Sequence, residues 1–130
     1  MTSPPDHILL LEDDPKFRAV TEFALSKAGF RVATATGAAQ ALLLAQHEQF
    51  DLVLSDYYLP DYPGTDFIRL LRKLDGYQGV PVILWSARLW ELNEQRLRDE
   101  LLVLVISKGC SMKKLVDTVS ECLAIARCAR

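Results

Sequence analysis

Five short apolar runs recur along this chain, each followed by a longer segment whose apolar residues return at helical spacing, and this alternation limits the fold more than any other feature. The runs are Ile8 to Leu11, Phe30 to Ala35, Leu52 to Ser55, Val82 to Trp85 and Val103 to Ile106. The first is continuous rather than alternating, which suits a strand covered on both faces. Pro15 fits the first turn of a helix, where a missing N–H leaves no bond unmade, and Phe17, Val20, Ala24, Leu25 and Ala28 mark one face until Gly29. Helical spacing returns from Thr36 to about Glu48 through Ala38, Ala41, Leu42 and Ala45, and after Gly64 through Phe67, Ile68, Leu71 and Leu74. Leu92, Leu97 and Leu101 mark a fourth helix, and Leu115, Val119, Cys122 and Ala126 a fifth that starts near Ser111. The stretch Asp75 to Pro81 reads as turns.

Strand–helix pairs at these intervals predict a doubly wound α/β fold. Parallel strands need right-handed crossovers long enough to hold a helix, so the expectation is a five-stranded parallel sheet with helices on both faces. No Ser-rich or Pro-rich linker divides residues 1–130, which are expected to form one domain with its core at about 7–126. A chain of 130 residues, 50% hydrophobic, suffices for one core without covalent staples. Cys110, Cys122 and Cys128 are odd in number and lack CxxC spacing, so neither a disulfide framework nor a zinc site follows. No apolar run approaches the ~20 residues of a membrane span, and residues 1–7 lack a basic-then-apolar leader, which points to a cytoplasmic protein. With 15 Lys and Arg against 17 Asp and Glu, the formal net charge of −2 argues against a domain built to wrap nucleic acid.

Ligands of such sheets bind beyond the carboxyl ends of the strands. Polar residues close four runs there: Glu12 with Asp13, then Asp56, Ser86 and Lys108. Each has a plain structural reading. Asp14 and its acidic neighbours suit a helix cap, Asp56 a turn, Ser86 the cap of the next helix, and a lone lysine a solvated surface. Gathered at one rim, they point instead to a site. Three converging carboxylates raise one another's pKa unless a cation shares the space. All-oxygen ligation suits Mg²⁺, which keeps several waters and completes its shell with phosphate oxygens, whereas zinc would call for His or Cys. The Lys108 ammonium and the Ser86 hydroxyl would then hold phosphoryl oxygens, and Asp56, ending the middle strand, would act as covalent nucleophile. The expected product is an aspartyl phosphate.

The segment from Asp51 to Gly64, with Pro60 four and Gly64 eight residues after Asp56, resembles the phosphoacceptor strand and loop of the receiver domains of two-component response regulators, the CheY-like superfamily. Leu9 to Pro15, with Arg18 five residues beyond Asp13, resembles that family's acidic-pair segment, Pro81 to Arg88 its fourth strand with a switch hydroxyl, and Ser107-Lys108 its lysine site. The likeness runs from Ile8 to about Ala126. It implies a flavodoxin-like strand order of 2-1-3-4-5, phosphorylation of Asp56, and a Mg²⁺ site made by Glu12, Asp13, Asp56 and the backbone carbonyl of Tyr58. Asp14 is then the helix cap, and Ser86 and Lys108 bind the phosphoryl group. The implied partners are a histidine kinase or phosphotransfer protein as donor and a downstream protein whose binding changes. No direct DNA binding and no membrane contact are expected, and a homodimer is compatible with the family.

Two positions depart from the family pattern. Gly109 follows the lysine where the family carries a cis-bonded Pro that helps aim it. A cis X–Gly bond would cost ~2.5–4 kcal/mol, so a trans bond and a looser loop are expected. Val105 stands where a Tyr or Phe usually swings inward, so output should use another element. Trp85 is expected on a helix-covered face, and Trp90 either packs on the fourth helix or belongs to a partner surface. Tyr58 and Arg88, two residues beyond Asp56 and Ser86, would shield the acyl phosphate and slow its self-hydrolysis. No output domain follows the fifth helix in this sequence, so signalling is expected through partner binding or phosphate relay. Lys113, Lys114, Arg127 and Arg130 read as a solvated helix face, and neither His7 nor His47 is placed for catalysis. A rival reading, supported by Gly109 and Val105, is a degenerate receiver that docks a protein partner constitutively. A small phosphatase is a third, weakened because Tyr58 rather than an acid stands two residues past Asp56.

Overall fold

Successive side chains of a strand point to opposite faces, so a run that is apolar at every position must be covered on both sides. A computed structural model, which describes residues 5–87, 95–96, 98 and 103–128, has this arrangement. Strands β1 (His7–Leu11), β2 (Arg31–Ala35), β3 (Leu52–Asp56), β4 (Val82–Ser86) and β5 (Val103–Ser107) form one parallel sheet in the order β2-β1-β3-β4-β5. Helices α1 (Pro15–Lys27), α2 (Ala38–His47), α3 (Gly64–Arg72) and α4 (Met112–Cys128) cover it. Residues 95, 96 and 98 are helical; the rest of the expected fourth helix, with Arg88 and Trp90, lies outside the described residues.

Alternate positions along each strand build two separate cores. Leu9, Leu11, Val53, Val82 and Leu84 face α2 and α3 through Ala38, Ala41, Ala45, Phe67, Ile68 and Leu71. Ile8, Leu10, Leu52, Leu54, Ile83 and Trp85 face α1 and α4 through Leu25, Leu115, Val119 and Leu123. Trp85 therefore sits on a helix-covered face, as its place in the fourth run predicts. Among the described residues, no helix is long and apolar enough to cross a membrane.

Two helix faces differ from the sequence expectation, both for the same reason. On α1 the buried positions are Thr21 and Leu25, with Phe17 half-buried, while Val20 and Ala28 are exposed. On α4 they are Leu115, Thr118, Val119 and Leu123, with Cys122 and Ala126 only half-buried. The Thr21 hydroxyl donates to the Phe17 carbonyl at 2.7 Å and the Thr118 hydroxyl to the Lys114 carbonyl at 2.8 Å. Back-bonded within its own helix, each threonine presents a satisfied oxygen and a methyl group to the core. Apolar periodicity passes over such residues.

The stretch 75–81 is also more than a turn. Tyr77 is buried, its hydroxyl donating to the Glu48 carbonyl at 2.6 Å and accepting from the Phe50 amide at 3.1 Å. Arg72 Nη1 donates to the carbonyls of Tyr77 and Val80 at 2.7 and 2.6 Å, tying the end of α3 to the entry of β4.

Candidate functional site

The register of the sheet brings the polar strand ends to one rim. Glu12 follows β1, and its amide extends the ladder by donating to the Ala35 carbonyl at 3.0 Å. Asp56 ends β3 opposite Trp85, Ser86 ends β4 opposite Ser107, and the Lys108 amide donates to the Ser86 carbonyl at 3.0 Å. Asp14 takes the capping role, its Oδ1 accepting from the amides of Lys16 at 2.9 Å and Phe17 at 3.3 Å. With the cap supplied by Asp14, Glu12 and Asp13 are not needed there. Arg18 reaches back from α1 and donates from Nη1 to the carbonyls of Glu12 at 3.0 Å and Asp13 at 3.4 Å, holding the acidic turn.

Carboxylate oxygens of Glu12, Asp13 and Asp56 all lie within 4.8 Å of one another. Lys108 Nζ bridges two of them, 2.8 Å from Glu12 Oε1 and 2.9 Å from Asp56 Oδ2. Glu12 is 2% exposed and Asp56 8%, while Asp13 is open to solvent. Burial, reinforced by the neighbouring Asp56, pushes the Glu12 carboxyl up to about 7 despite the bond from Lys108. Burial works against the Lys108 charge, but its bonds to Glu12 and Asp56 outweigh this and raise its pKa. Glu12 Oε2 is buried without a hydrogen-bond partner among the described residues. Among the described residues, one ammonium facing three carboxylates and an orphaned oxygen form a site short of positive charge, and an all-oxygen donor set of this kind fits a hard divalent cation.

The loop after Asp56 is folded tightly onto the site. The Tyr58 amide donates to Asp56 Oδ1 at 3.1 Å, Tyr58 bridges Pro63, and the Gly64 amide donates to the Tyr57 carbonyl at 2.9 Å. A Cβ on Gly64 would lie 2.8 Å from that carbonyl oxygen and 3.0 Å from Tyr57 Cα, which is why the position eight residues after Asp56 is glycine. From the same loop, Asp61 accepts from the amides of Ala38 and Ala39 at 2.8 and 3.0 Å and caps α2, whose own N-cap is Gly37. These backbone bonds hold the Asp61 carboxyl below its ordinary range.

Every predicted site residue thus lies at this rim, and Glu12, Asp13, Asp56 and Lys108 converge in one cluster. Ser86 is buried at the end of β4, and the Tyr58 ring is exposed. The Lys108–Gly109 bond is trans, as expected. Val105 is half-buried and packs with the α2–α3 core. His7 is structural: its ring packs on Phe50 at 4.4 Å between centroids and meets Arg31 Nη2 at 3.1 Å. Two features escaped the sequence reading: the remote cap from Asp61, and the rings of Phe17 and Trp85 near Lys108, whose Nζ lies 4.8 and 5.8 Å from their centroids.

Residues 8–120 match the family described as the response regulator receiver domain. The chain is 37% identical over 81 residues to the transcriptional regulatory protein AfsQ1 of Streptomyces coelicolor, covering 62% of this chain and 35% of that protein. It spans about a third of that relative's length. Over 122 residues it is 25% identical to the polar-differentiation response regulator DivK of Brucella anthropi, covering 94% of this chain and 99% of that protein. Among solved structures, the receiver domain of the sensor histidine kinase PA1611 of Pseudomonas aeruginosa, described with a magnesium ion coordinated in its active-site cleft, superposes with a TM-score of 0.80 at 26% identity, covering 92% and 98% of the two chains.

Proposed function

The chain belongs to the response regulator receiver domain family, and on that premise we propose that it accepts a phosphoryl group on Asp56 in a Mg²⁺-dependent reaction and signals through changed affinity for a protein partner. The observation that carries the proposal is the convergence of Glu12, Asp13 and Asp56 within 4.8 Å, with Lys108 bonded to two of them. The carboxylates of Glu12, Asp13 and Asp56 and the Tyr58 backbone carbonyl would hold Mg²⁺, which when bound offsets the charge of the phosphoryl oxygens. Asp56 is the nucleophile. One of its carboxylate oxygens forms a bond to phosphorus as the P–N bond of a donor phosphohistidine breaks, and the departing imidazole keeps the electron pair and takes up a proton. Lys108 follows the developing negative charge because it already contacts Asp56 Oδ2. Ser86 supplies a hydroxyl to a phosphoryl oxygen. The Tyr58 side chain, exposed two residues beyond Asp56, shields the acyl phosphate from water and slows its self-hydrolysis. The donor is a histidine kinase or phosphotransfer protein.

The test is incubation with Mg²⁺ and acetyl phosphate followed by intact-mass measurement. One added phosphoryl group is expected on the natural chain and none on Asp56→Asn; no label on the natural chain, or label surviving in the variant, refutes the proposal. A second reading, constitutive docking, draws on Val105, whose packing against the α2–α3 core leaves no aromatic side chain to rotate at that position. Equal partner affinity with and without the label would favour it.

A further inference from the structure

Hydrogen bonds hold the backbone of Lys108 and Gly109, to the Ser86 carbonyl at 3.0 Å and the Ser107 hydroxyl at 3.0 Å, but the ammonium stands at the end of a flexible four-carbon stem that these bonds do not aim. We propose that Phe17 and Trp85 form an aromatic seat that positions Lys108 Nζ between Glu12 and Asp56, which makes both rings positioning residues for the phosphoryl transfer. The effect on rate rests on the function proposed above; the seat itself does not.

The two rings come from different elements, Phe17 from the first turn of α1 and Trp85 from β4 directly opposite Asp56. They meet edge to face, with centroids 4.6 Å apart and planes at 83°, and the ammonium lies within about 6 Å of both centroids. Phe17 is itself fixed at both ends of its backbone unit. Its amide is bound by Asp14 Oδ1 and its carbonyl by the Thr21 hydroxyl. Trp85 is buried, and its Nε1–H has no hydrogen-bond partner among the described residues. A buried indole N–H without a partner is a cost that Leu or Phe would not carry, so packing alone does not account for tryptophan at this place. An ammonium drawn out of water gains most from the negative face of an aromatic ring, and Lys108 is mostly buried, with its side chain 22% exposed. Two of its three N–H donors go to Glu12 and Asp56, which leaves one for an incoming phosphoryl oxygen. The seat thus supplies the aim that backbone bonds cannot give to the far end of a long side chain.

The test reads Lys108 directly. In carbon–proton correlation spectra of the full chain, protons of the Lys108 ε-methylene beside the ring faces should resonate upfield of those of Lys113 and Lys114. They should move downfield toward the ordinary lysine position in Phe17→Leu, which leaves only the Trp85 ring beside the stem, and stay upfield in Phe17→Tyr. Labelling of Asp56 by acetyl phosphate with Mg²⁺ should slow about threefold to tenfold in Phe17→Leu and recover in Phe17→Tyr. An unshielded Lys108 in the natural chain overturns the seat, and so does a Phe17→Leu variant that leaves both the shift and the labelling rate unmoved. If the natural chain takes no label at all, the phosphoacceptor reading fails, and the Lys108 resonances still decide whether the seat exists.

Discussion

Replacing Glu12 by Gln measures the energetic tension at the rim. Glu12 is buried beside Asp56, and its carboxyl is raised from 4.5 to about 7. Because the folded value lies above the unfolded one, the stability tied to this group is fully present below pH 4.5 and is lost as pH rises through about 7. Moving the midpoint that far, at about 1.4 kcal/mol per pH unit, makes ionised Glu12 destabilising by about 3 kcal/mol in the metal-free protein at pH 8. Gln fills the same space without titrating. Urea unfolding of both proteins at pH 4.5 and pH 8, followed by circular dichroism, isolates this contribution as the change in their difference. The natural chain should lose about 3 kcal/mol relative to Glu12→Gln over that interval. Saturating Mg²⁺ should restore stability at pH 8, by about 2.7 kcal/mol at a hundredfold excess over its Kd, and should do so far less in the variant. A difference that stays constant within about 1 kcal/mol between the two pH values would refute the reasoning, because Glu12 would then ionise as easily folded as unfolded.

Lys108→Met should keep the fold and slow acetyl phosphate labelling of Asp56 by about a hundredfold, the scale expected when a charged group aimed at a transition state is removed; time-resolved intact mass reads this. Gly64→Ala forces a methyl group into the Tyr57 backbone and should cost about 1–3 kcal/mol in urea unfolding, with a matching shift in the resonances of the loop bearing Tyr58. Asp61→Ala removes the cap that the β3–α3 loop lends to α2 and should cost about 1 kcal/mol, with amide exchange rising at Ala38 and Ala39. Because the Asp61 carboxyl is held below its usual range, the cap is present above pH 3.8 and fails as pH falls through the folded value, so the variant and the natural chain should converge in strong acid.

The sheet and its rim were legible because both depend on features that sequence carries openly. Continuous apolar runs announce strands covered on both faces, and the residues that end them, Glu12, Asp56, Ser86 and Lys108, must share one edge once the strands are parallel. What stayed hidden depends on partners far apart in the chain. Thr21 and Thr118 are polar by name yet belong to the core because each hydroxyl is satisfied within its own helix. Tyr77 sits in a stretch rich in turn residues but anchors it by bonding the backbone of Glu48 and Phe50, 29 and 27 residues away. Asp61 lies in the loop of one strand–helix unit and caps the helix of the preceding one, a pairing no local capping rule detects. The rings of Phe17 and Trp85 read as ordinary helix and strand hydrophobes until the fold brings Lys108 between them and the acids.

The central claim, that the oxygens of Glu12, Asp13 and Asp56 form a cation site, is tested most directly by anomalous scattering from crystals grown with Mn²⁺ as a substitute for Mg²⁺. One strong peak among those three carboxylates, abolished by excess Mg²⁺, is the expected result. A chain that labels Asp56 in a Mg²⁺-dependent manner yet shows its manganese peak elsewhere, or none, would contradict it.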